Sequence, residues 1–112
     1  MGCEGGSHGY SSKLRSTLQL PGPSGREDAV ASQAMELLRP LMDEVKKDRF
    51  GNVIGIRRCG TENAKRVVLD AHLDECGFMV QSILENGLLS ILMLGGFHLT
   101  SLPAHSVLVR TR

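Results

Sequence analysis

RVVLDAHLDECG, residues Arg66 to Gly77, is the stretch on which the fold turns: an apolar run passes straight into a cluster of one histidine and several acids. Val67, Val68 and Leu69 are consecutive and do not alternate with polar residues, which predicts a strand over Arg66–Ala71 covered on both faces. His72 and Asp74 follow at its C-terminal end, where α/β sheets gather their ligands. In extended backbone, residues two apart point the same way, so the imidazole and the Asp74 carboxylate share a side while Glu75 faces the other. Such a pair suits a metal, because one ring nitrogen presents its lone pair while an acid on the other fixes tautomer and direction. On its own, however, histidine-x-aspartate is also an ordinary hydrogen-bonded strand end, so its surroundings must decide.

Upstream, Leu14, Leu18 and Leu20 predict a short helix stopped by Pro21-Gly22-Pro23. Ser24-Gly25-Arg26-Glu27 has the form of a capping box, with the Ser24 hydroxyl and the Glu27 carboxylate closing the start of the next helix. A serine-hydrolase reading of Ser24 fails, since no G-x-S-x-G elbow surrounds it. Val30, Ala34, Leu37, Leu38 and Leu41 then recur on one helical face, and Pro40 ends that helix near Arg39. Its apolar face calls for a sheet, which Glu44–Asp48 and Val53–Arg58 supply around a turn at 49–52. Beyond Gly77, Phe78–Leu84 and Leu88–Leu94 flank Glu85-Asn86-Gly87 as a hairpin with an Asn-Gly turn, and Ser106–Thr111 reads as a last strand. Residues 1–12 are Gly/Ser-rich and read as a flexible leader.

Composition narrows the function classes. A formal charge of +1 and an aromatic content of 4% offer neither the field nor the stacking platforms that nucleic acid needs. Cys3, Cys59 and Cys76 lack paired spacing and read as free thiols of a reducing cytoplasm. The longest apolar stretch, Leu88 to Phe97, falls well short of the roughly 20 residues that span a bilayer, so no membrane partner is expected. Met1-Gly2-Cys3 is followed by Gly6 where myristoylation wants Ser or Thr. His8, His98 and His105 lie in the leader and in a loop, and read as surface or turn residues.

Four further segments surround or contain the histidine: LQLPGPSGRE (Leu18–Glu27), LLRPLMDEVKKDRFGNVIG (Leu37–Gly55), AHLDECGFMV (Ala71–Val80) and ENGLLSILMLGGF (Glu85–Phe97). In this order and spacing they resemble the start of the glutamyl-aminopeptidase and cellulase-M-type (endoglucanase-like) family of dinuclear metallo-aminopeptidases. The likeness covers most of residues 13–112. It implies an α/β fold, with residues 13–77 as the N-terminal part of a zinc-peptidase-like α/β sandwich. Residues 78–112 would be the first strands of an inserted β-barrel-like dimerisation domain. It further implies hydrolysis of N-terminal residues from peptides by metal-activated water, at a site holding two divalent ions, zinc or cobalt, in a homo-oligomer joined through the β-rich segment. Residue by residue, it implies His72 as a metal ligand and Asp74 as the catalytic carboxylate that orients it.

The chain departs from the family pattern in its ligand supply. Each metal wants about four ligands, yet beyond Asp74 the only acids are Glu75 and Glu85. An N-terminal portion that is inactive alone is therefore expected, and a non-catalytic module that associates through residues 78–112 stays open beside it. Cys76 stands where the family has an aliphatic residue, as either a soft ligand or a small buried group. Phe97-His98-Leu99-Thr100 replaces an aromatic followed by polar and charged residues. A glycosidase reading lacks its two opposed carboxylates, since Asp74 and Glu75 face opposite ways.

Overall fold

The computed structural model describes residues 6–111. Ser12 donates its hydroxyl to Gly9 O, and Ser16 and Thr17 donate theirs to Lys13 O, local bonds that decorate helix α1, Gly6–Leu18. The helix thus begins well before Leu14, and the leader expected over residues 1–12 is helical from Gly6; residues 1–5 lie outside the described residues. Pro21-Gly22-Pro23 stops it as expected.

Helix α2, Asp28–Leu38, ends with Arg39 as its cap, where Pro40 predicts. Its start corrects the capping box. No side chain caps the Glu27 end, and the Glu27 carboxylate instead accepts the Gly25 N–H at 2.7 Å. The cause is a β-turn over 23–26, closed by Arg26 N–H on Pro23 O at 2.8 Å, with Gly25 at φ +84° in its third position. That turn puts Ser24 at a corner, away from the helix amides.

Val30 and Ala31 of α2, 6% and 1% exposed, are the buried hydrophobic core among the described residues. The helix packs on α1 and on an antiparallel hairpin of β1 (Glu44–Lys47) and β2 (Val53–Ile56), paired from Glu44↔Ile56 to Lys47↔Val53. Gly55 lets the hairpin approach the helix end: a Cβ there would lie 3.0 Å from Met42 Cγ and 3.5 Å from Leu38 Cδ1. In the connecting turn, the Asp48 carboxylate accepts N–H groups from Phe50 and from the Asn52 backbone and side chain at 2.8–3.0 Å.

The chain divides into two compact units, Met1–Glu75 and Cys76–Arg112. The second is built on β3 (Gly77–Ile83) and β4 (Leu89–Leu94), antiparallel from Gly77↔Leu94 to Ile83↔Leu89 with a register shift between Val80 and Ser82. Its turn is the expected one: Gly87 sits at φ +81° and Asn86 Oδ1 accepts the Leu88 N–H at 3.1 Å. The Phe78 and Phe97 rings stack with centroids 4.8 Å apart.

Two expected strands do not form among the described residues. Arg66–Ala71 has no ladder, and Val67, Val68 and Leu69 are 83%, 84% and 95% exposed; Ser106–Thr111 is likewise unpaired. An apolar run records that a strand is suited to burial, but a ladder needs a neighbouring backbone, and no described segment pairs with either stretch.

Candidate functional site

His72 is therefore not held by a strand end. Its segment is held by a loop more than fifty residues upstream. Glu75 N–H donates to Gly22 O at 2.9 Å, and Gly22 N–H donates to the Glu75 carboxylate at 2.9 Å, while Pro23 and Glu75 form a parallel bridge. Gly22 is buried, and a Cβ on it would stand 2.7 Å from Val30 Cγ2, so the loop can press against α2 only without a side chain.

This register brings Ser24 beside Asp74. The Ser24 hydroxyl donates to Asp74 Oδ2 at 2.5 Å, and Asp74 Oδ1 lies 3.0 Å from His72 Nδ1. The Asp74 backbone carbonyl is 2.9 Å from the same ring nitrogen. Both neighbours of Nδ1 are acceptors, so in the neutral ring Nδ1 carries the proton and Nε2 presents its lone pair. The His72 side chain is 84% exposed, and Nε2 makes no hydrogen bond to a described residue. The Ser24 hydroxyl holds the Asp74 carboxyl below its ordinary 3.8; desolvation opposes this and the His72 ring adds to it. A hollow of about 240 Å³, walled by Leu18, Leu20, Val30 and Leu73, opens beside the pair. It is smaller than the roughly 300 Å³ at which ligand pockets begin, so it is not in itself a substrate site.

As a metal donor set these residues are partial. His72 Nε2 is free to be one ligand, and its Nδ1–carboxylate bond is the arrangement that metal-bound histidines use. No group of three or more His, Cys, Asp or Glu side chains converges among the described residues. Glu75 is engaged with Gly22. Cys76, expected as a soft ligand or a small buried group, is exposed and lies 3.5 Å from Gly96 O. His98 O accepts from Ser101 N–H and Oγ, and His105 N–H donates to Leu102 O, so both histidines sit in turns. The sequence pairs His72 with Asp74 through their spacing, but it misses Ser24 and Gly22. The Pro-Gly-Pro-Ser-Gly string announces a turn without saying what the turn touches.

The profile of the M42 glutamyl aminopeptidase family matches residues 51–112, more than half of the sequence and inclusive of His72 and Asp74. The chain belongs to the M42 family. A lysyl aminopeptidase of Pyrococcus furiosus is 33% identical over 84 residues, covering 74% of this chain and 23% of the relative. The glutamyl aminopeptidase of Lactococcus lactis is 30% identical over 86 residues, covering 77% and 24%. Among solved structures, a TET aminopeptidase from a Thaumarchaeota archaeon of marine sediment superposes with a TM-score of 0.74 at 31% identity, over 84% of this chain and 26% of that one. The mixed helix and strand arrangement thus matches part of the TET aminopeptidase fold, and the chain spans about a quarter of the length of the relatives it matches.

Proposed function

We propose that this chain carries one ligand position of a metal-dependent aminopeptidase site. His72 Nε2 donates to a divalent ion, zinc or cobalt, one of two in the complete site, and Asp74 orients the ring. The observation that carries this reading is the Nδ1–H bond to the Asp74 carboxylate with Nε2 left open to solvent, in an M42 sequence. Residues 13–77 then form the first part of an α/β sandwich peptidase domain, and residues 78–112 the first strands of an inserted β-barrel-like domain. When bound, the ion supplies Lewis-acid polarisation of the peptide carbonyl and of water. Asp74 keeps the proton on Nδ1 and fixes the direction of the Nε2 lone pair. The remaining ligands and a general base lie outside what these residues offer, so removal of N-terminal residues from peptides is the work of the complete enzyme. The chain alone is expected to hydrolyse no peptide. Calorimetric titration of the purified chain with zinc or cobalt should give weak, saturable heat that His72→Ala abolishes; the same heat from both proteins removes His72 from the site.

Self-association through the β-rich segment is a second reading, favoured by apolar side chains left open along the hairpin: Met79, Val80, Leu92 and Met93 are 44–49% exposed. A chain that light scattering finds monomeric at all concentrations would exclude it. No helix of the described residues is long and apolar enough to cross a membrane, and the free thiols of Cys59 and Cys76 accord with a cytoplasmic location.

A further inference from the structure

We propose that Ser24 is a positioning residue of this site, its hydroxyl holding one oxygen of Asp74 so that the other stays on His72 Nδ1 and the Nε2 lone pair keeps a fixed direction. This rests on the metal-ligand reading of His72. A carboxylate turns easily about its last torsion, whose preferences are broad and two-fold, and the Asp74 side chain is 38% exposed. Solvent alone would leave its oxygens free to exchange. The Ser24 hydroxyl donates at 2.5 Å, in the short range of a charge-assisted O–H···O⁻ bond.

Its direction sets this bond apart from a helix cap. A capping serine accepts an amide proton, whereas Ser24 donates, and the 23–26 turn aims it at Asp74. The two segments are held in register by Gly22 and Glu75, through bonds that do not involve the hydroxyl. Removing it should therefore free the carboxylate without moving the loop.

Ring ¹⁵N shifts of His72 in the full chain, read where the imidazole is neutral, report the ratio of Nδ1–H to Nε2–H tautomers. Ser24→Ala should lower that ratio roughly threefold, the scale of one ordinary hydrogen bond. Asp74→Asn, which puts amide donors beside the ring, should lower it further. Ser24→Thr keeps a hydroxyl and should keep the native ratio. Gly22 and Glu75 amide resonances should stay in place in Ser24→Ala. An unchanged ratio in Ser24→Ala with a changed one in Asp74→Asn overturns the role of Ser24 and leaves His72–Asp74 standing. Ser24→Thr behaving like alanine, or loss of the Gly22 and Glu75 resonances, also overturns it, since the hydroxyl would then be inert or merely structural. A native ratio in Asp74→Asn removes the orienting role of Asp74, and Ser24 falls with it.

Discussion

Gly22 decides the site through the side chain it lacks. Its carbonyl and amide both bind Glu75 while its Cα faces Val30, a β-branched residue with little freedom to yield. Gly22→Ala should therefore force Val30 aside or lift the loop, destabilising the chain by about 1–3 kcal/mol in a urea melt, as overpacking does. A melt like that of the native chain would mean that the loop does not press on α2. His72 and Asp74 were legible as a pair because two-residue spacing is local, although their contact uses no strand. Ser24 was misassigned for a physical reason: an S-x-x-E string scores as a cap wherever the backbone can continue into a helix, and only the left-handed Gly25 rules this out.

Helix α2 and both hairpins were readable because the signals that make them act within a few residues. Pro40 removes an amide donor, and Asn86-Gly87 accepts the positive φ that a tight hairpin demands. Gly87→Ala places a side chain at φ +81° and should cost the β3–β4 hairpin about 1–2 kcal/mol, read as a loss of cross-strand contacts between Val80 and Ile91 by NMR. The β1–β2 turn should respond to acid. Donation from the Asn52 side chain, with partial desolvation opposing and backbone N–H bonds assisting, holds the Asp48 carboxyl below its ordinary 3.8. A carboxylate lowered in the folded state stabilises it above the unfolded value and loses that contribution as pH falls through the folded one. Phe50 and Asn52 amide shifts should accordingly move together with a midpoint below 3.8 in the native chain, and not in Asp48→Ala; a midpoint at or above 3.8 would contradict the turn geometry.

Among the described residues, Val30 and Ala31 of the first unit are the buried hydrophobic core, while apolar runs stay exposed in each unit, Val67-Val68-Leu69 in the first and Val107-Leu108-Val109 in the second. Unpaired apolar backbone of this kind recruits other chains. Met93→Lys should reduce concentration-dependent association in light scattering while leaving the α2, β1 and β2 resonances in place, because Met93 is 46% exposed; undiminished association would show that the β3–β4 hairpin is not the adhesive segment. Periodicity, turn chemistry and the order of four family segments were enough, from the sequence alone, to settle helix α2, the hairpins, the M42 resemblance and the closeness of His72 to Asp74, because each acts along a short length of chain. Folding in three dimensions alone decided that the Ser24 hydroxyl bonds to Asp74 and not to a helix amide, that Gly22 bonds to the Glu75 segment, and that Arg66–Ala71 is unpaired among the described residues. Those outcomes depend on which distant segments meet, and an apolar pattern records a need for burial without supplying the surface that meets it.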